Sequence, residues 1–83
     1  MNIAICDDLK KDAELLKLLC EKFFDSMQIN ITIFNSGDKL VTSIDSESKF
    51  DVIFLDIDMP GMNGIETGLA IRQKCKNIII IFV

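Results

Sequence analysis

Apolar residues along this chain keep two rhythms, short unbroken runs and longer stretches in which they recur every third or fourth position. Residues 2–6 are a short apolar run that stops at Asp7-Asp8, which predicts a buried strand followed at once by polar punctuation. Between 9 and 24, Leu9, Ala13, Leu16, Cys20 and Phe23 repeat at helical spacing, with Lys10, Lys11, Glu14, Lys17 and Glu21 between them. That pattern predicts an amphipathic helix with its apolar stripe turned inward. Residues 29–34 alternate apolar with polar and are rich in β-branched types, as expected of an edge strand with one face partly wet. Ser36-Gly37-Asp38 has the composition of a helix start, so a short second helix is expected over 39–44, then a polar connection at 46–49. A third strand follows at 50–55. Pro60 and Gly61 forbid regular structure in the loop after it, and Asn63-x-x-Glu66 has the spacing of a capping box opening a helix that runs to about Lys74. Residues 77–83 form a last, continuous apolar strand.

Strand, helix, strand, helix, strand, helix, strand predicts the α/β class, because parallel neighbours need crossover connections and those connections are helical. The unbroken apolar character of 52–55 and 78–83 suits strands covered on both faces. Right-handed crossovers place the first helix on one face and the second and third on the other. The chain shows no repeat, linker or low-complexity stretch, and reads as one domain.

Composition narrows the function classes. Eighty-three residues, 49% of them hydrophobic and 27% charged, describe one small folded domain whose core is sensitive to any uncovered surface. The net charge of −4, with Lys and Arg scattered, argues against direct nucleic-acid binding by this segment and points to a protein or a cation as partner. Cys6, Cys20 and Cys75 never fall in a Cys-x-x-Cys spacing and His is absent, so neither a disulfide framework nor a zinc site is supported, and reduced thiols are expected. No secretory signal or membrane-spanning run is found, so the expected setting is the cytoplasm, without membrane contact.

The acidic features carry the chemistry. Asp7-Asp8 follows the first strand and Asp56 the third, so the three carboxylates converge if those strands are neighbours at a topological switch point. Like charges so close raise one another's pKa unless a cation lies among them, and hard oxygen ligands favour Mg²⁺. A lone Asp after a strand is commonly a helix cap, and Asp8 has that alternative for the first helix.

Ile3-Ala4-Ile5-Cys6-Asp7-Asp8, together with the run from Phe50 through Leu55-Asp56-Ile57-Asp58-Met59-Pro60-Gly61-Met62-Asn63-Gly64, resembles the receiver domains of two-component response regulators. The resemblance covers the whole chain. It implies a flavodoxin-like, doubly wound parallel sheet with strand order 2-1-3-4 up to the fourth strand. It also implies that Asp56 is the phosphoacceptor for a sensor histidine kinase, acting in its own phosphoryl transfer and dephosphorylation without being an enzyme in the usual sense. Asp8 would ligate Mg²⁺ directly, Asp7 through water, and the backbone carbonyl of Asp58 would complete the protein's ligands.

Complete receivers have a Thr or Ser at the tip of the fourth strand and a Lys at the tip of the fifth. Val83 stands about where that hydroxyl residue would come next, so residues 1–83 are read as a partial receiver lacking the fifth strand and last two helices, and are expected to be switch-defective. The opening residues most resemble regulators with a LytTR-type DNA-binding output domain, which would supply the DNA contact that this segment lacks. The fourth strand would then expose an apolar edge, and self-association through it is expected. Two other readings stand beside this one. Asp56-x-Asp58 also resembles the haloacid-dehalogenase phosphatases, although Pro60 stands where those enzymes carry a hydroxyl residue. An inert protein-docking module is the third.

Overall fold

The computed structural model describes residues 1–25, 27–45 and 50–83, so the polar connection expected at 46–49 lies outside the described residues. Four strands and three helices alternate: β1 (Asn2–Cys6), α1 (Lys10–Phe23), β2 (Asn30–Phe34), α2 (Gly37–Ser43), β3 (Val52–Leu55), α3 (Gly64–Lys74) and β4 (Ile79–Phe82). The strands form one parallel sheet in the order β2-β1-β3-β4. This is the flavodoxin-like order, with the sheet winding outward in both directions from the β1/β3 boundary.

Register follows from burial on two faces. β1 is central, and Ile3, Ala4, Ile5 and Cys6 are all fully buried. Because side chains alternate along a strand, Ala4 and Cys6 join Ile53, Leu55, Leu40 and Ile71 under α2 and α3, whereas Ile3 and Ile5 meet Ala13, Leu16 and Phe54 under α1. A one-residue slip would exchange these two sets, so the packing holds Cys6 level with Leu55 and with Phe34. The tips of β1 and β3 therefore end side by side.

Local chemistry sets the helix ends. Ser36 caps α2 by accepting the Lys39 N–H at 3.2 Å. Asn63 and Glu66 form the reciprocal capping box of α3, with bonds of 2.9 and 3.1 Å. At the other end of α3, Lys74 donates its ammonium to the carbonyls of Val41 and Ile44 at 2.9 and 3.2 Å, so a cation meets the carbonyl end of α2.

The expectations for Phe23 and for the start of β3 are corrected. Phe23, placed by spacing on the buried stripe of α1, is 81% exposed. Phe24, at the C-cap of α1, packs on the α1-side core with Ile3 and Ile5 instead. Ile79, Ile81 and Phe82 of β4 are exposed, in keeping with the uncovered apolar edge expected of the fourth strand, although its unbroken apolar run by itself reads as a strand covered on both faces. β3 also begins two residues later than expected, although Asp51 still bonds to Asn2 and Ile79 through its backbone.

Candidate functional site

Asp7 and Asp56 leave the sheet as neighbours because Cys6 and Leu55 pair, and the Asp56 N–H donates to the Cys6 carbonyl at 2.9 Å. One carboxylate oxygen from each of Asp7, Asp8 and Asp56 falls within 4.8 Å of the others, and all three residues are half-buried. Asp7 is held by the Leu9 N–H, which donates to its Oδ1 at 2.9 Å. Asp8 is not the helix cap: the N-cap position of α1 is Leu9 and makes no side-chain bond, so the Asp8 carboxylate remains with the acidic group. Asp56 accepts the Asp58 N–H at 3.3 Å. The Asp58 side chain is exposed and is not part of the three-carboxylate group.

Crowding acts on the titration of Asp56. Partial burial raises its carboxyl pKa, as do the Asp7 charge, a hydrogen bond with the Asp7 carboxyl and the Asp8 charge, while the Asp58 N–H pulls the other way. Beneath the acids, burial and then the charges of Asp7, Asp56 and Asp8 push the Cys6 thiol up to about 12. That thiol is a neutral floor to the site, not a nucleophile, and its Sγ donates to the Met59 sulfur at 3.8 Å.

The loop after β3 is anchored at two points. Met59 is buried against Cys6, and the Gly64 N–H donates to the Ile57 carbonyl at 2.9 Å. Between them Gly61 takes a positive φ of 73°, which a side chain would strain. Neither anchor follows from local spacing, because each joins the loop to another part of the packed chain; Asn63-Gly64 is their one local signal. Asp7, Asp56, Asp12, Leu15, Leu19 and Val83 border a cleft of about 300 Å³. A larger groove of about 520 Å³ beside Phe23 is lined without a carboxylate and does not belong to this chemistry.

Three converging carboxylates, in a chain without His, are an all-oxygen donor set whose mutual repulsion a divalent cation would relieve, so the residues present fit Mg²⁺. Residues 3–83 match the family described as the response regulator receiver domain. The chain belongs to that family. Sensory transduction protein LytT of Oceanobacillus iheyensis is 39% identical over 99% of this chain, which spans 33% of that relative's length. Among solved structures, the N-terminal domain of a response regulator/sensory box/GGDEF three-domain protein from Carboxydothermus hydrogenoformans superimposes with a TM-score of 0.81. It is 26% identical over 99% of this receiver and 62% of that chain. A second match, from a crystal structure of histidine kinase ThkA in complex with response regulator protein TrrA, has a TM-score of 0.76 and 30% identity over 98% of this receiver and 66% of that chain. The receiver family places the chain in phosphorelay signalling.

Proposed function

We propose that Asp56 is the phosphoacceptor of this receiver and that a sensor histidine kinase is its donor. The observation that carries the reading is the approach of the Asp7, Asp8 and Asp56 carboxylate oxygens to within 4.8 Å of one another at the tips of two adjacent strands. In the transfer, an Asp56 carboxylate oxygen forms a bond to phosphorus while the bond from phosphorus to the kinase imidazole nitrogen breaks, its electron pair returning to the ring. Asp8 would hold Mg²⁺ directly and Asp7 through water, with the Asp58 backbone carbonyl as the remaining protein ligand. Bound there, Mg²⁺ would neutralise charge on the carboxylates and phosphoryl oxygens.

This chain's own residues do the positioning. The Leu9 N–H fixes Asp7, and the Asp58 N–H keeps one Asp56 oxygen engaged. The cleft bordered by Leu15, Leu16 and Leu19 gives the donor's chain an apolar wall beside Asp56. A kinase partner is supported by the TrrA match, whose structure is a complex with a histidine kinase. Control of an output domain, and of transcription through it, is part of the same proposal by likeness to LytT. The haloacid-dehalogenase alternative is weaker, because its acid/base would be Asp58, whose side chain is exposed and apart from the cluster.

Acetyl phosphate with Mg²⁺ is expected to label Asp56, and Asp56→Asn to abolish the label and weaken Mg²⁺ binding. Labelling of residues 1–83 by themselves is expected to be slow, since the donors that the resemblance assigns after Val83 are not among them; one preorganised donor is worth about 3 kcal/mol. A label that survives Asp56→Asn, or equal Mg²⁺ affinity in both proteins, overturns the proposal.

A further inference from the structure

The residues that join β2 to α2 touch both halves of the acidic site. At one end, the Phe34 carbonyl accepts the Asp7 N–H at 3.0 Å. At the other, buried Gly37 opens α2 and lies against α3 and the loop that leads into it. A Cβ on Gly37 would stand 2.0 Å from the Thr67 Oγ1, and 3.2 Å from both the Thr67 Cβ and the Met62 carbonyl oxygen. Gly37 does not take a positive φ, so glycine serves here for close approach and not for backbone freedom.

Thr67, the partner in that approach, is a fully buried polar side chain in α3. Its hydroxyl donates to the Asn63 carbonyl at 2.8 Å, and its N–H donates to the same oxygen at 2.9 Å. The side chain that Gly37 presses on is therefore bonded to the residue that ends the Asp56 loop and caps α3. Gly64 lies three residues before Thr67 on the same side of α3, and a Cβ there would meet the Asp56 carbonyl oxygen. α2 is also tied to α3 at its far end, where Lys74 bonds the Val41 and Ile44 carbonyls. It is a short buttress fastened at both ends.

We propose that Gly37 and Thr67 are positioning residues for the acidic site, a role that rests on reading Asp7, Asp8 and Asp56 as a Mg²⁺ site. Neither belongs to the three-carboxylate group, and both act through other residues. Their contact fixes Asn63 and Met62, and with them the loop that begins at Asp56, while Phe34 holds Asp7. The spacing of the carboxylates is thus set from the β2–α2 connection as well as by the pairing of β1 with β3. Displacing Thr67 lifts the first turn of α3 from the exit of β3 and spreads the oxygen donors. Mg²⁺ demands near-ideal octahedral geometry, so its affinity falls further than a loss of packing alone would produce.

Mg²⁺ titration and amide hydrogen exchange test this on the same chain. Gly37→Ala is expected to raise the Mg²⁺ Kd roughly tenfold, as loss of an outer support does. In chelator it should also speed exchange of the Gly64 N–H, which donates to the Ile57 carbonyl at 2.9 Å. Thr67→Ala removes the hydroxyl that the new methyl meets, so Gly37→Ala/Thr67→Ala is expected to bind Mg²⁺ more tightly than Gly37→Ala alone. Ile3→Val trims the core on the α1 face, and should lower the melting temperature while leaving Mg²⁺ affinity unchanged. Where Gly37→Ala does not fold, Thr67→Ser and Thr67→Val carry the test. Serine keeps the donor to Asn63 and should bind Mg²⁺ like the parent, whereas valine keeps the bulk, loses the donor and should bind more weakly. An unchanged Kd in Gly37→Ala, no rescue by Thr67→Ala, equal affinity in Thr67→Ser and Thr67→Val, or as large a loss in Ile3→Val overturns the positioning role and leaves the Mg²⁺ site standing. Parent binding that does not depend on Asp56 overturns the site and the role together.

Discussion

A Cβ on Gly64 would stand 2.2 Å from the carbonyl oxygen of Asp56 and 2.6 Å from the Cα of Ile57. Both neighbours are backbone atoms, so no rotamer change relieves the approach. The first residue of α3 is thereby pressed against the exit of β3, and the helix start and the acidic site are one mechanical unit. Gly64→Ala is expected to cost about 1–3 kcal/mol in urea unfolding, as overpacking does. It should also weaken Mg²⁺ binding, because the strand exit carrying Asp56 must move. Full stability together with unchanged Mg²⁺ affinity would show that the loop yields freely.

The Asn63–Glu66 capping box should behave as a coupled pair. Asn63→Ala is expected to lose about 1 kcal/mol, the usual cost of removing a cap, while Asn63→Asp keeps the acceptor and should retain most of the stability. Glu66→Ala should cost little more once Asn63 is gone, because each side chain serves the same short turn. Additive losses in a double-mutant cycle would count against reciprocity.

The raised carboxyl pKa of Asp56 has a definite sign in stability. The folded chain holds that proton more tightly than the unfolded chain, so stability falls as pH rises from the ordinary value of 3.8 through the higher folded value. Above both, the whole penalty is present. In chelator at pH 7, Asp56→Asn is therefore expected to melt at a higher temperature than the parent, and to lose that advantage as pH drops below 3.8. Saturating Mg²⁺ should favour the parent instead. Melting curves across pH decide it, and a variant that is less stable at pH 7 in chelator would mean that the acids do not strain one another.

Thiol reactivity should rank the three cysteines by environment. Cys75 is half-buried, whereas Cys6 and Cys20 are buried and burial raises both of their pKa values, that of Cys6 to about 12. Iodoacetamide at pH 8 is expected to modify Cys75 first, with Cys6 protected until urea unfolds the chain. Early modification of Cys6, read by peptide mass, would mean that the floor of the acidic site opens in the native state.

Several features were legible in the residues because they are local. Alternation, helical spacing, the Ser36 and Asn63 caps and the Pro60-Gly61 break depend on neighbours within a turn or a strand, and each fixed an element close to where it lies. The acidic tips of the first and third strands were equally visible. What made them a site was the non-local pairing of Cys6 with Leu55, set by two cores that a one-residue slip would exchange. Contacts across long sequence separations also decided the remainder. Phe24 took the inward place that spacing gave to Phe23, Met59 came to rest on Cys6, and Gly64 met the Asp56 carbonyl. β4 carries the same unbroken apolar run as a covered strand, yet among the described residues Ile79, Ile81 and Phe82 are exposed. Periodicity records which residues avoid water, whereas burial depends on which element arrives to cover them, and only the packed sheet decides that.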